Sequence, residues 1–123
     1  MEYNGTFSFK KIIGNRGGFA EIHIEVQLIP RKGKIANIDL DYNQEEEWRT
    51  ALLYGAELFL NQCWKKDLYD IKVNVKEWNW LPQDTTSPIA SFVMFQALCN
   101  ALNIVSDIYV FNSELTSFVV KPW

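Results

Sequence analysis

The polarity pattern along the chain falls into stretches of period two and stretches near period four. From Thr6 to Ile13, "TFSFKKII" sets Phe7 and Phe9 against Ser8 and Lys10, the alternation of a strand. "GNRGG", residues 14–18, is rich in residues that tolerate positive φ and reads as a turn, so a hairpin is expected. "FAEIHIEVQLI" then places Ala20, Ile22, Ile24, Val26 and Leu28 on one side, with Glu21, His23, Glu25 and Gln27 on the other, a strand with one wet face. After the break at Pro30 and Gly33, Ala36, Ile38, Leu40 and Tyr42 oppose Asn37, Asp39 and Asp41, which predicts a second hairpin. "IKVNVKEW" alternates again. Strict period two sends Ile71, Val73 and Val75 inward and Lys72, Asn74, Lys76, Trp78 and Trp80 outward.

Two segments carry helical spacing. Trp48, Leu52, Gly55, Phe59 and Cys63 share a stripe, predicting a helix from about Gln44 to Trp64 that Asn43 caps and Glu46 answers in capping-box fashion. Gly55 would let that helix approach a strand closely. Ser87 followed by Pro88 predicts a second helix start, with Ser87 as cap and the helix running to about Asn103. "DIYVF" and "LTSFVV" follow around the turn "NSE", as two short strands or one hairpin.

No charge lies between Asp84 and Asp107, which brings the second helix near the length of a membrane span. Ser91, Gln96, Asn100 and Asn103 interrupt it, no basic residues flank it, and its neighbours alternate like strands. A buried helix is therefore expected, with the Gln96, Asn100, Asn103 stripe toward solvent. A second copy or another protein covering part of its apolar surface stays open as an alternative.

At 123 residues the chain is sized for one domain, residues 1–123, with a core of its own. The aromatic share of 15% exceeds what such a core requires, which points to rings at a contact surface. A net charge of −3 gives no help toward a phosphate backbone. Cys63 and Cys99 lack the spacing of a zinc or redox motif and are read as buried thiols. "MEYNGTFSFKK" has no secretory pattern, so a cytoplasmic location is expected.

No catalytic motif stands out, and no cofactor or metal is implied. His23, between Glu21 and Glu25, lacks the further ligands of a metal set. "GNRGG" lacks the spacing and the strand-to-helix context of a nucleotide cradle. Asp39 and Asp41 read as an acidic strand face.

The order strand, strand, strand, helix, strand, helix resembles domain IV of elongation factor G and of the ribosomal protection proteins. The stretches that carry it are "GGFAEIHIEV", "WRTALLYGAELFL" and "IKVNVKEWNWLPQDTTSPIASFVMFQALCNAL". The resemblance implies the fold of the second domain of ribosomal protein S-five. This is an α+β two-layer sandwich: a mostly antiparallel sheet of four to six strands, two helices on one face and a left-handed βαβ crossover. It also implies that residues 81–86 form a projecting tip, with Gln83 and Asp84 at its end and Arg16 on a neighbouring loop.

The chain departs from that family in lacking a GTPase domain, in having Gln83 where the translocase carries a tip histidine, and in its acidic balance. The favoured expectation is a small standalone non-enzymatic module that binds a protein partner through Trp78, Trp80 and the tip, with Trp123 as a further ring. A homodimer is a variant of it. The alternative is a translation-related or RNA-binding factor in which rings stack on bases and Arg16, Arg31, Lys32 and Lys34 reach phosphates. An enzyme of the small-molecule kinase type that shares this fold is least favoured, because the glycine-rich phosphate loop is missing.

Overall fold

A computed structural model describes residues 2–13, 16–64, 68–112 and 117–121. Gly14 and Asn15 of the expected "GNRGG" turn, residues 113–116 around the expected "NSE" turn, and Trp123 lie outside the described residues. Strand β1 spans Glu2–Ile13 and pairs antiparallel with β2, Arg16–Pro30, in a register that sets Phe9 against Ala20 and Phe7 against Ile22. The hairpin is longer than "GNRGG" suggests, since Arg16, Gly17 and Gly18 are already paired to Ile13, Ile12 and Lys11. Every second residue of β2 from Gly18 to Val26 is buried, as the alternation requires.

The second expected hairpin does not form. Strand β3, Ile38–Asp41, never pairs with β2; it lies parallel to β4, Tyr69–Asn79, and β4 takes the place beside β2. The sheet order is β1-β2-β4-β3. The reason lies in burial: Ile71 and Val73 are at 1% and 0% exposure and need a neighbour on each side, while four-residue β3 suits an edge. A parallel pair needs a crossover, and helix α1, Glu46–Cys63, supplies it. Helix α2, Ser87–Ala101, follows β4, and β5, Tyr109–Asn112, pairs antiparallel with β6, Ser117–Val120, as a separate hairpin. The chain is thus an α+β sandwich with two helices over one face of a mixed sheet.

Capping differs from the sequence reading at both helices. Glu45, two residues beyond Asn43, occupies the α1 cap without a side-chain bond, while the Asn43 amide donates to Asp41 Oδ1 at 3.2 Å. Glu46 and Glu47 still suit the positive end of the helix. Thr86, not Ser87, caps α2, accepting from the Ile89 N–H at 3.4 Å, with proline in the first turn. Asn103, expected on the solvent stripe, ends α2 with φ of 56°, and the Ile104 N–H returns to the Cys99 carbonyl at 2.9 Å. Asparagine tolerates this left-handed turn better than most residues.

Helix α2 is buried on nearly all sides: Ile89, Ala90, Val93, Met94, Phe95, Ala97 and Leu98 have 1% exposure or less. No helix among the described residues is long and apolar enough to cross a membrane. Its apolar perimeter is met by the sheet, by α1 and by the β5–β6 hairpin. Phe92 makes edge contacts with Phe7 and Tyr109 at centroid distances of 5.7 and 5.3 Å and lies 4.9 Å from Phe118. Gly55 brings α1 against α2 rather than against a strand; a methyl group there would collide with the Ser91 carbonyl. The Ser91 hydroxyl answers by donating to the Ala51 carbonyl at 2.7 Å. Cys99 and Cys63 are free and buried, and burial first, then the neighbouring Cys63, pushes the Cys99 thiol up to about 12.

Two substitutions test this packing by chemical denaturation. Phe92→Ala is expected to cost about 3 to 5 kcal/mol, the range of buried aromatic truncations, and a loss below about 1 kcal/mol would make α2 peripheral. Gly55→Ala is expected to cost about 1 to 3 kcal/mol although alanine favours helix, because the added methyl forces the two helices apart.

Candidate binding surface at the sheet tip

The residues singled out in the sequence come to one end of the sheet, but not all as exposed groups. Lys76 is the extra residue of a bulge: His23 pairs with Glu77 while Ile24 pairs with Val75. The bulge reverses the alternation, so Trp78 pairs with Ile22 and points into the core at 5% exposure. The expected outward placement of Trp78, and of Trp80 which packs against the core, is thereby corrected. Trp80 follows in the same phase and is half-buried, its ring 5.2 Å from Trp48, which also meets Trp78 at 5.9 Å. The signal was present in the sequence. Two consecutive polar residues, Lys76 and Glu77, separate the inward valines from the tryptophans and break the period.

Residues 81–86 form the tip, tied to the start of β2 by a chain of hydrogen bonds. The Thr85 hydroxyl, in a residue 6% exposed, donates to the Phe19 carbonyl at 2.6 Å and accepts from the Leu81 N–H at 2.9 Å. The Phe19 N–H donates to the Asp84 carbonyl at 2.9 Å, and the Thr85 N–H to the Leu81 carbonyl at 3.0 Å. Arg16 donates from its guanidinium to the Gln83 carbonyl at 2.8 Å. Gly17 lies against the Asp84 carboxylate so closely that a Cβ would sit 3.2 Å from it. The structure thus brings Arg16, Gln83 and Asp84 together, with Trp80 at the strand end that feeds the loop. Leu81, 45% exposed, and Pro82 stand beside Gln83 on the outside. Sequence reasoning passed over both.

Below the tip, Arg16, Gly17, Thr86, Pro88, Ile89 and Phe118 border a cleft of about 320 Å³. The other cations of the sequence reading are far away. Arg31, Lys32 and Lys34 follow the opposite end of β2, and a 15-residue strand separates them from Arg16 by roughly 45 Å. They form no common patch with it. On the open face, His23 Nε2 meets Asn4 Oδ1 at 3.1 Å, and Glu21 is paired with Lys10 at 3.2 Å. Hydrogen bonds from Lys10 and Ser8 hold the Glu21 carboxyl below its ordinary range. Glu25, Asp39 and Asp41 share the rest of that face with Lys72, which lies beside Asp39. No group of three His, Cys, Asp or Glu side chains among the described residues is arranged to hold a metal ion.

No family model matches the chain, and no curated protein matches it. At least one solved structure shares its fold. A protein of Thermus thermophilus superposes with a TM-score of 0.61 at 11% identity, over 78% of this chain and 15% of that one. Mevalonate kinase from methicillin-resistant Staphylococcus aureus aligns over 85% of this chain and 40% of its own, with a TM-score of 0.41 and 15% identity. The chain therefore spans a small part of the Thermus protein, and the likeness to it is one of fold.

The burial difference between the two tryptophans is testable. Trp78→Ala is expected to lower unfolding free energy by about 3 to 5 kcal/mol, and Trp80→Ala by less than half as much. Equal small losses in denaturant melts would return Trp78 to the surface and remove the bulge from the account.

Proposed function

We propose that the chain is a non-catalytic protein-binding module, acting in the cytoplasm, whose contact surface is the tip built from Arg16, Trp80, Leu81, Pro82, Gln83 and Asp84. The observation that carries this reading is the hydrogen-bonded anchoring of residues 81–86 to Phe19 and Arg16. A loop fixed before binding loses little conformational freedom on association, so its exposed groups are favourable anchors. Leu81 and Pro82 supply apolar area, Gln83 supplies donors and acceptors, and Arg16 and Asp84 supply opposite charges. Trp78 contributes from beneath by packing against Trp48, on which Trp80 rests.

RNA binding of the kind the elongation factor resemblance implies has less support. The loop cations are divided between two ends of a long strand, and on the open sheet face the four carboxylates Glu21, Glu25, Asp39 and Asp41 outnumber Lys10 and Lys72. A nucleic acid backbone across that face would meet repulsion.

A tagged pull-down from native lysate, with and without nuclease, separates the readings. The expected result is a discrete protein that survives nuclease and moderate salt. It should be lost from the combined variant Leu81→Ser, Gln83→Ala, Arg16→Ala, while the melting temperature stays within a few degrees. A ribosomal or RNA signal removed by nuclease would overturn the proposal.

A further inference from the structure

The long outer strand β1 leaves part of its main chain unpartnered, and hydrogen-bond directions show which part. Phe19 turns both its N–H and its carbonyl toward the tip loop. Strand backbone groups change sides at each residue, so Ala20, Ile22 and Ile24 turn theirs toward β1. Their register partners Phe9, Phe7 and Gly5 face them, which leaves Thr6, Ser8, Lys10 and Ile12 directing N–H and carbonyl to the outer edge. Thr6 agrees with this polarity: its carbonyl accepts from Asn100 Nδ2 of α2 at 2.8 Å. Among the described residues no hydrogen bond reaches the outward main chain of Ser8, Lys10 or Ile12.

Strand β5 presents the matching arrangement. Lys121 donates its N–H to the Ile108 carbonyl, on the side of β6, so Tyr109 and Phe111 turn the other way. The Tyr109 carbonyl accepts from Gln96 Nε2 at 3.2 Å. Gln96 and Asn100, one turn apart on α2, thus engage the two edges. Alongside them Ser8, Lys11 and Phe111 flank a cleft of about 310 Å³ that Phe9 and Phe92 also line. Lys11 reaches over the Phe111 ring at 5.7 Å and has no carboxylate partner among the described residues.

A row of free strand donors and acceptors selects extended main chain. The charge of that chain is set by Lys11 on the helix-covered face; its neighbour Lys10, on the open face, is already paired with Glu21. A second copy pairing here would bring these lysines near their own counterparts, and like charges across a strand pair are unfavourable. We propose that the β1 edge from Ser8 to Ile12 takes an acidic, extended segment of a partner protein as an added strand. One of its carboxylates lies beside Lys11, and one of its apolar side chains enters the cleft at Phe9 and Phe111. This rests on reading the chain as a protein-binding module, but the contact lies on the opposite side of β2 from the tip loop.

The probe is a terminally blocked decapeptide alternating valine with glutamate and threonine, titrated into the full chain and followed by amide resonances. Saturable shifts at Ser8, Lys10, Ile12 and Phe111 are expected, with slowed amide exchange at the first three. Methylating alternate peptide nitrogens, replacing glutamate by lysine in the peptide, or Lys11→Glu in the protein should each weaken binding by about tenfold or more. No shift at millimolar peptide would overturn the inference. Shifts confined to residues 81–86 would overturn it while leaving the tip reading standing. Concentration-dependent dimerisation that perturbs the same β1 amides without peptide would assign the edge to a second copy and equally overturn it. Edge binding that survives the combined tip variant, in a protein whose lysate partner also survives that variant, would overturn the tip reading instead.

Discussion

The rest of the structure depends on one constraint: α2 has almost no polar side and must be enclosed. A helix this apolar loses free energy wherever water reaches it, and a four-stranded sheet covers only part of its circumference. Helix α1 closes a second side, approaching so near at Gly55 that the contact is made by backbone, and the β5–β6 hairpin closes a third with Tyr109 and Phe118. The polar groups that α2 does carry are used at this enclosure. Ser91 bonds to Ala51, Gln96 to Tyr109 and Asn100 to Thr6. These three side chains connect α2 to α1, to the hairpin and to the sheet.

The enclosure also fixes the tip. Thr86 begins α2, and the residue before it, Thr85, is buried and bonded to Phe19 and Leu81. The loop is therefore held at one end by the helix and at the other by β4, whose bulge at Lys76 turns Trp78 and Trp80 toward Trp48. One unpaired residue in the ladder thus places two indoles under the loop. Leu81, Pro82 and Gln83 project from that support.

The fold was largely legible because alternation and helical spacing are local properties. The buried set of β2, the stripe of α1 and the enclosure of α2 follow from side-chain order alone. Pairing is not local. Nothing in "IANIDLDY" states that β4 will separate it from β2, because that outcome depends on which strand gains more by burial in the middle of the sheet. The caps differ by one or two residues: α1 starts behind Glu45 rather than Asn43, and at α2 Thr86, itself a competent cap, precedes Ser87. Of the candidate site, Arg16 bonds to Gln83 and Gly17 lies against Asp84, whereas Trp78 was misplaced because a strict period of two cannot survive an inserted residue.

The central claim is that the tip is a preformed surface rather than a loop that orders on contact. Native-state hydrogen exchange of the free protein tests it most directly at the amides of Phe19, Leu81 and Thr85, each bonded within the tip. The account predicts protection at these three comparable to that of the paired residues in β2 and β4. Exchange near the rate of an unstructured peptide would contradict it, because the loop would then be open in the free protein.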